Sequence, residues 1–469
     1  MRLGAACCSG LLFLVCALSS FAQTDVWTAN SGGWSHSSHW SLGSPANDGS
    51  ADVSFDVTNS FRSTVNASWS VDSLSIGANA GAFTLKHHGQ DTLTIGASLT
   101  DNSANSALIN VTLLGTMSLN LLQGGTLTLE GSDAYTGATR LAAGMLADSN
   151  ANTFSPNSAF KVGTGSTLDV DFDETVASLG DNSGGGHVVI AGGATLTMDG
   201  SASGAFSGAI SGAGGIEMSG AHSLTLTGDD TYLGPTTIGA GSTIVAGSDN
   251  ALGSPVATTF LTGGAGLVVA GGVTVGNPLS LSGSANRVGG DGTIASPLTV
   301  NSAVVLSPRA SPGGGPGNLS FGGALTLATG GAISFDLFDA TGAAGTGFSL
   351  ITANGGLALS AAPGSLTFEL VSTDSSGNAA PASNFNAAGS YSWKFATSTT
   401  AISGFSAGDF NLDTSGFANA TNGGTFSFIE AGDSLYLNFT PVPEPSTWAM
   451  MAAGIAAALA RSLLRRRPA

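Results

Sequence analysis

Leu224-Thr225-Leu226-Thr227-Gly228-Asp229-Asp230-Thr231-Tyr232-Leu233-Gly234-Pro235-Thr236-Thr237-Ile238 aligns without a gap with Leu127-Thr128-Leu129-Glu130-Gly131-Ser132-Asp133-Ala134-Tyr135-Thr136-Gly137-Ala138-Thr139-Arg140-Leu141, an offset of 97 residues. Each copy runs strand, Gly, Asp, Tyr, Gly, strand. Alternation at period two turns Leu inward and Thr outward on a half-buried strand. Similar bursts stand at Thr92-Leu93-Thr94-Ile95, Thr195-Leu196-Thr197-Met198 and Ala324-Leu325-Thr326-Leu327, separated by Gly, Asn, Asp and Ser. No stretch between the two ends of the chain keeps a helical period, so the body reads as all-β. Gly131 and Gly228 are expected to take positive φ at a turn, and Gly144 and Gly241 to close the unit. Tyr135, Gly137, Tyr232 and Gly234 are the core of the repeat.

Composition agrees. Gly supplies 70 of 469 residues and only 9% are charged, which alone would suggest low complexity, yet 42% are hydrophobic and a core must form. An extended β architecture reconciles the two. Coils of about 20 to 30 residues, stacked so that each buries its neighbour's apolar face, meet both demands. Arg2 precedes the body and Arg461, Arg465, Arg466 and Arg467 follow it. Between Gln23 and Glu444 seven basic residues face all 30 acidic ones, a net charge of −23. Such a surface repels nucleic acid and anionic lipid.

The repeated unit resembles the autotransporter-associated β-strand repeat, with Asp133 and Asp230 where Asn is usual. Phe206-Ser207-Gly208-Ala209-Ile210-Ser211-Gly212-Ala213-Gly214-Gly215-Ile216 resembles its lead-in. The resemblance implies a right-handed parallel β-helix, a solenoid, over residues 23–360. Trp27, Trp34, Trp40 and Phe55 are expected to cover its first rung. From residue 361 to 440 the aromatic content rises, with Phe368, Trp393, Phe395, Phe410, Phe428 and Phe439 among others. A β-rich C-terminal cap or small β-sandwich fits that shift, because solenoid ends expose unpaired strands. Leu306 to Gly317, rich in Pro and Gly, reads as a loop or bend.

Both termini read as addresses. Met1-Arg2, the apolar run Leu11 to Leu18, and small residues before Gln23 describe a secretory signal peptide over residues 1–22, cleaved between Ala22 and Gln23. Cys7, Cys8 and Cys16 all lie inside it, so the mature body has no thiol chemistry. At the other end, Pro441-Val442-Pro443-Glu444-Pro445 cannot join a strand ladder or a helix interior. An apolar run follows from Trp448 to Ala460, then Arg461 and the cluster Arg465, Arg466, Arg467. Its length predicts a single C-terminal transmembrane helix, with the arginines on the cytoplasmic side. Residues 441–469 resemble the PEP-CTERM sorting signal, in which Val442, Pro443, Glu444 and Pro445 carry the motif. That resemblance implies export by the general secretion machinery and signal peptidase, transient anchoring in the inner membrane, and processing by an exosortase-like membrane protease. The product would go to the cell surface or outside it. An ordinary C-terminal membrane anchor is the plainer alternative.

Chemistry is sparse. Asp169, Asp171 and Asp173 alternate with Leu168, Val170 and Phe172, which are expected to point inward and leave the aspartates as a solvent face. A calcium loop would need a turn-forming Gly among those acids. Trp34-Ser35-His36-Ser37-Ser38-His39-Trp40 and His87-His88 declare no third zinc ligand. The Gly-rich segments lack the Lys-Ser/Thr of a phosphate loop. No catalytic residue, metal or cofactor is therefore assigned. The T-x-T pairs Thr92/Thr94, Thr126/Thr128, Thr195/Thr197 and Thr225/Thr227 offer hydroxyl faces for carbohydrate or, more remotely, ice, but Thr is favoured on any wet strand. The expectation is an exported, non-catalytic cell-surface or matrix structural protein or adhesin, associated with extracellular polysaccharide. A carbohydrate-binding or polysaccharide-degrading β-helix is the alternative.

Overall fold

Among the described residues, the strands between Asp25 and Asp413 pair with one another in parallel, each lying against its counterpart one coil on. The computed structural model describes residues 23–200, 202–310, 314–442 and 447–464. The signal peptide with Ala22, the Pro443-Glu444-Pro445 core and Arg465 to Arg467 lie outside those residues. Two sheets of nine strands each begin the solenoid, and further parallel sheets continue it. The all-β parallel solenoid expected from the alternation is the fold observed.

Register explains how alternation becomes a core. Phe61 lies beside Phe83, Phe83 beside Ala107, Ala107 beside Leu127, and then Leu146, Leu168, Val188 and Ile210 follow in one inward column. From Leu127 to Ile210 each of these side chains is fully buried. Burying one such aliphatic side chain stabilises by roughly 1.5 to 3 kcal/mol. A slip of one residue would turn the whole column to water.

The Asp, Tyr and Gly of the repeated unit each have one task. Asp133 and Asp230 accept from the backbone N–H of Leu113 and Ile210 on the previous coil, at 2.8 and 2.7 Å. The buried hydroxyls of Tyr135 and Tyr232 meet Thr139 Oγ1 and Thr236 Oγ1 at 2.7 and 2.6 Å. Gly137 and Gly234 lie so close to the coil beneath that a Cβ would strike the Met117 carbonyl oxygen or, at 2.5 Å, the Gly214 carbonyl. Gly144 and Gly241 do close the unit with φ of 76° in both copies. Gly131 and Gly228, in contrast, have no positive φ. They are required because the coil below approaches them: a Cβ on Gly131 would stand 2.7 Å from the Val111 oxygen.

Both ends are covered by aromatic rings. At the start, Trp27 and Trp40 meet edge to face at 5.0 Å, Trp34 and Trp40 at 5.3 Å, and Trp34 Nε1 donates to Ser63 Oγ at 2.9 Å. At the other end the strand Leu366–Ser372 still pairs in parallel with Ala332–Leu337. Tyr391–Ser398 pairs in parallel with Leu350–Ala353, then Ser434–Thr440 runs antiparallel to it and Thr425–Glu430 antiparallel to that. Phe410 and Phe428 stack at 4.4 Å over this end, with Phe368 and Phe395 meeting edge to face at 4.9 Å.

Two stability measurements test this account. Gly137→Ala and Gly234→Ala should each cost about 2 to 4 kcal/mol in urea unfolding, because two backbones must separate. Gly124→Ala, at an exposed position with open space around it, should change stability by less than about 0.5 kcal/mol. Asp230 is the second test. Burial pushes its pKa up to about 7, against the Ile210 N–H that favours the carboxylate and with the Asp229 charge adding to the rise. Between the unfolded value of 3.8 and the folded one, the native chain holds a proton that the unfolded chain has released. Stability from this site is therefore full at low pH and is lost as pH rises toward 7. Asp230→Asn should gain on the wild type by at least about 1 kcal/mol between pH 5 and pH 8, read from urea midpoints at both; a difference constant with pH would contradict it.

Candidate functional site

The acids singled out in the sequence do not assemble into a centre. Leu168 and Val170 point inward as expected, but Phe172 does not and is 44% exposed. The cause lies one coil back: Asp148 accepts from the backbone N–H groups of Asp171 and Phe172 at 2.7 and 3.0 Å, so the strand ends at Val170 and alternation stops. Glu174 is buried and accepts from the N–H groups of Thr153 and Phe154 at 2.8 and 2.7 Å. Burial raises the pKa of both Asp148 and Glu174, and the Asp148 charge adds to the rise in Glu174. This pair staples coils together.

The other polar motifs also resolve into structure. His39 packs its ring 5.3 Å from Trp27 and its Nδ1 lies 3.0 Å from the Gly33 oxygen, while His87 and His88 are exposed. Among the described residues no three His, Cys, Asp or Glu side chains converge as a metal site. The T-x-T pairs do not stack into a ladder. Thr126 and Thr128 face Met145 and Ala147 on the next coil, and Thr195 and Thr197 face Gly215 and Glu217.

A groove that the sequence did not announce does gather charged groups. It runs across the strands Gly266–Val269, Asn286–Gly290, Val304–Pro308, Ala332–Leu337 and Leu366–Ser372, which pair in that order, and encloses about 520 Å³. Gly289 lies beside Ser307, and Ser334 beside Glu369, so the floor is made of the smallest outward residues. A Cβ on Gly289 would collide with the Ser307 carbonyl oxygen, which fixes that floor as glycine. Arg287, Arg309 and Glu369 line it with them. Leu306, Ser307 and Pro308, expected in a loop, are strand, and the bend begins after them.

The two arginines differ. Arg309 grips the fully buried Asp336 with two contacts, Nε to Oδ2 at 2.6 Å and Nη2 to Oδ1 at 2.8 Å. Burial pushes the Asp336 carboxyl up, while Arg309 and, more distantly, Arg287 pull it back. Arg309 is thus committed to holding the wall. Arg287 is exposed and makes no ion pair among the described residues. Asp336 does not line the groove, so Glu369 is the carboxylate that faces it. The local signal was faint: two of the body's seven basic residues stand about one coil apart, on strands that the sequence does not show to be neighbours.

The tail begins where the sheet ends. Ser434–Thr440 is the last strand, Val442 is 54% exposed, and an α-helix spans Thr447–Leu464 with Arg461 exposed in its last turn. The expected helix is present, but its spanning a membrane is not shown by the described residues. The helix has 18 residues, about 27 Å against a hydrocarbon core of about 30 Å. Among the described residues no helix is long and apolar enough to cross a membrane. No curated protein matches the chain. Residues 441–467 match the PEP-CTERM protein-sorting motif, the tail that follows the last strand.

Proposed function

We propose that the protein is an exported, non-catalytic solenoid of the cell surface or extracellular matrix, a structural protein or adhesin associated with exopolysaccharide. The observation that carries this reading is the PEP-CTERM motif placed directly after the strand that completes the fold. An exosortase-type protease would act near Val442, Pro443, Glu444 and Pro445, after signal peptidase has cut between Ala22 and Gln23. Cleavage there removes no ladder strand, so the product keeps its whole core. Kinship with autotransporter-associated β-strand repeats, and with it a right-handed wind, belongs to the same reading and is supported by the matching roles of the two Asp-Tyr-Gly units.

The non-catalytic part rests on the groove's chemistry. Glycoside hydrolysis needs two carboxyl groups flanking one bond, and here Asp336 is tied to Arg309 behind the wall. An outward face of small hydroxylated and glycine residues suits contact with sugars better than bond cleavage.

Intact-mass measurement of surface material from cells with and without the sorting protease tests the assignment. The mature protein should begin at Gln23 and end close to the Val442–Pro445 motif only when the protease is present. Recovery of the Arg465 to Ala469 end from mature surface protein would overturn it.

A further inference from the structure

We infer that the groove across the strands from Gly266–Val269 to Leu366–Ser372 binds a short stretch of acidic glycan, with Arg287 receiving a uronate carboxylate. The inference goes beyond the sorting reading and its test does not depend on it. Five strands in sequence span about 19 Å across the sheet at ordinary strand spacing, so the site is elongated. It suits a chain better than a compact ion. Its volume, about 520 Å³, falls in the usual range for ligand clefts.

The groups available select the ligand. Three of the four strand steps use their backbone donors and acceptors in a longer ladder, while the step between Val304–Pro308 and Ala332–Leu337 pairs only Val305 with Ala332 and Leu306 with Ile333; side chains therefore carry most of the recognition. Ser307 and Ser334 can donate and accept, Glu369 accepts, and Arg287 donates through a planar fork that matches a carboxylate in two places. A ligand that answers all of these carries many hydroxyls and an occasional carboxylate. Neutral sugars would leave the Arg287 charge unanswered; a compact anion would leave the hydroxyl floor unused. The body's net charge of −23 limits the carboxylate density further, because a dense polyanion is repelled before it reaches one arginine. Sparse uronate on a neutral backbone fits both constraints.

Arg287 is suited to this role and Arg309 is not. The strand bearing Arg287 continues on both sides in parallel pairing, Gly266 on one and Val305 on the other, so its backbone is held while its side chain stays exposed. Arg309 spends its fork on Asp336. It shapes the groove wall and is a positioning residue.

The test titrates the full chain by calorimetry with two oligosaccharides that differ only in charge: xylopentaose, and xylopentaose bearing one glucuronate branch. The branched sugar should bind at least tenfold more tightly than the plain one. Arg287→Ala should remove that advantage, and Arg287→Lys should restore part of it. Circular dichroism of each variant confirms that the sheet is intact, as an exposed side chain permits. Equal affinities for the two sugars, an advantage that survives Arg287→Ala, or no binding of either sugar would each overturn the assignment.

Discussion

Parallel pairing of each coil with the next is the constraint on which everything else depends. It brings backbones to within about 4.8 Å over the whole length of the body, and the sequence is arranged to permit that approach. Glycines at 131, 137, 228 and 234 are there because the coil below leaves no room for a Cβ. Where the ladder turns a corner and an amide loses its partner, a side chain supplies one. Asp133, Asp148, Glu174 and Asp230 all serve in this way. A solenoid with few charges thus places several of its acids inside, where they complete the hydrogen bonding of the corners rather than solubilise the surface.

That use of acids also explains the electrostatics. The buried carboxyl groups are raised in pKa because desolvation outweighs the amides they receive, so near neutral pH the formal charge of the body overstates what its surface presents. The same economy appears at the groove. One arginine is consumed by a buried aspartate, and the remaining charges there are few enough for a single guanidinium to define the site.

The parts of the fold that could be read from the chain are those carried by neighbours in sequence. Thr225-Leu226 alternation, the Asp230-Tyr232-Gly234 spacing and the clustering of Trp27, Trp34 and Trp40 all concern residues within one coil. What could not be read depends on which coil lies next. Phe172 turns outward because of Asp148, a residue of the preceding coil. Gly131 and Gly228 announce the same permissiveness whether they serve φ or close approach, and only the partner strand decides. Arg287 and Glu369 face one groove across three intervening strand steps, and no local pattern connects them. The C-terminal apolar run was legible as a helix, but among the described residues no membrane-length apolar helix is found.

The end of the body has a mechanical side. Ser434–Thr440 lies between Tyr391–Ser398 and Thr425–Glu430 and is hydrogen-bonded on both edges. Tension applied along that strand would load its bonds together in shear instead of parting them one at a time. Under such a pull the body would hold its shape, and the same strand would be a sound point of attachment for load.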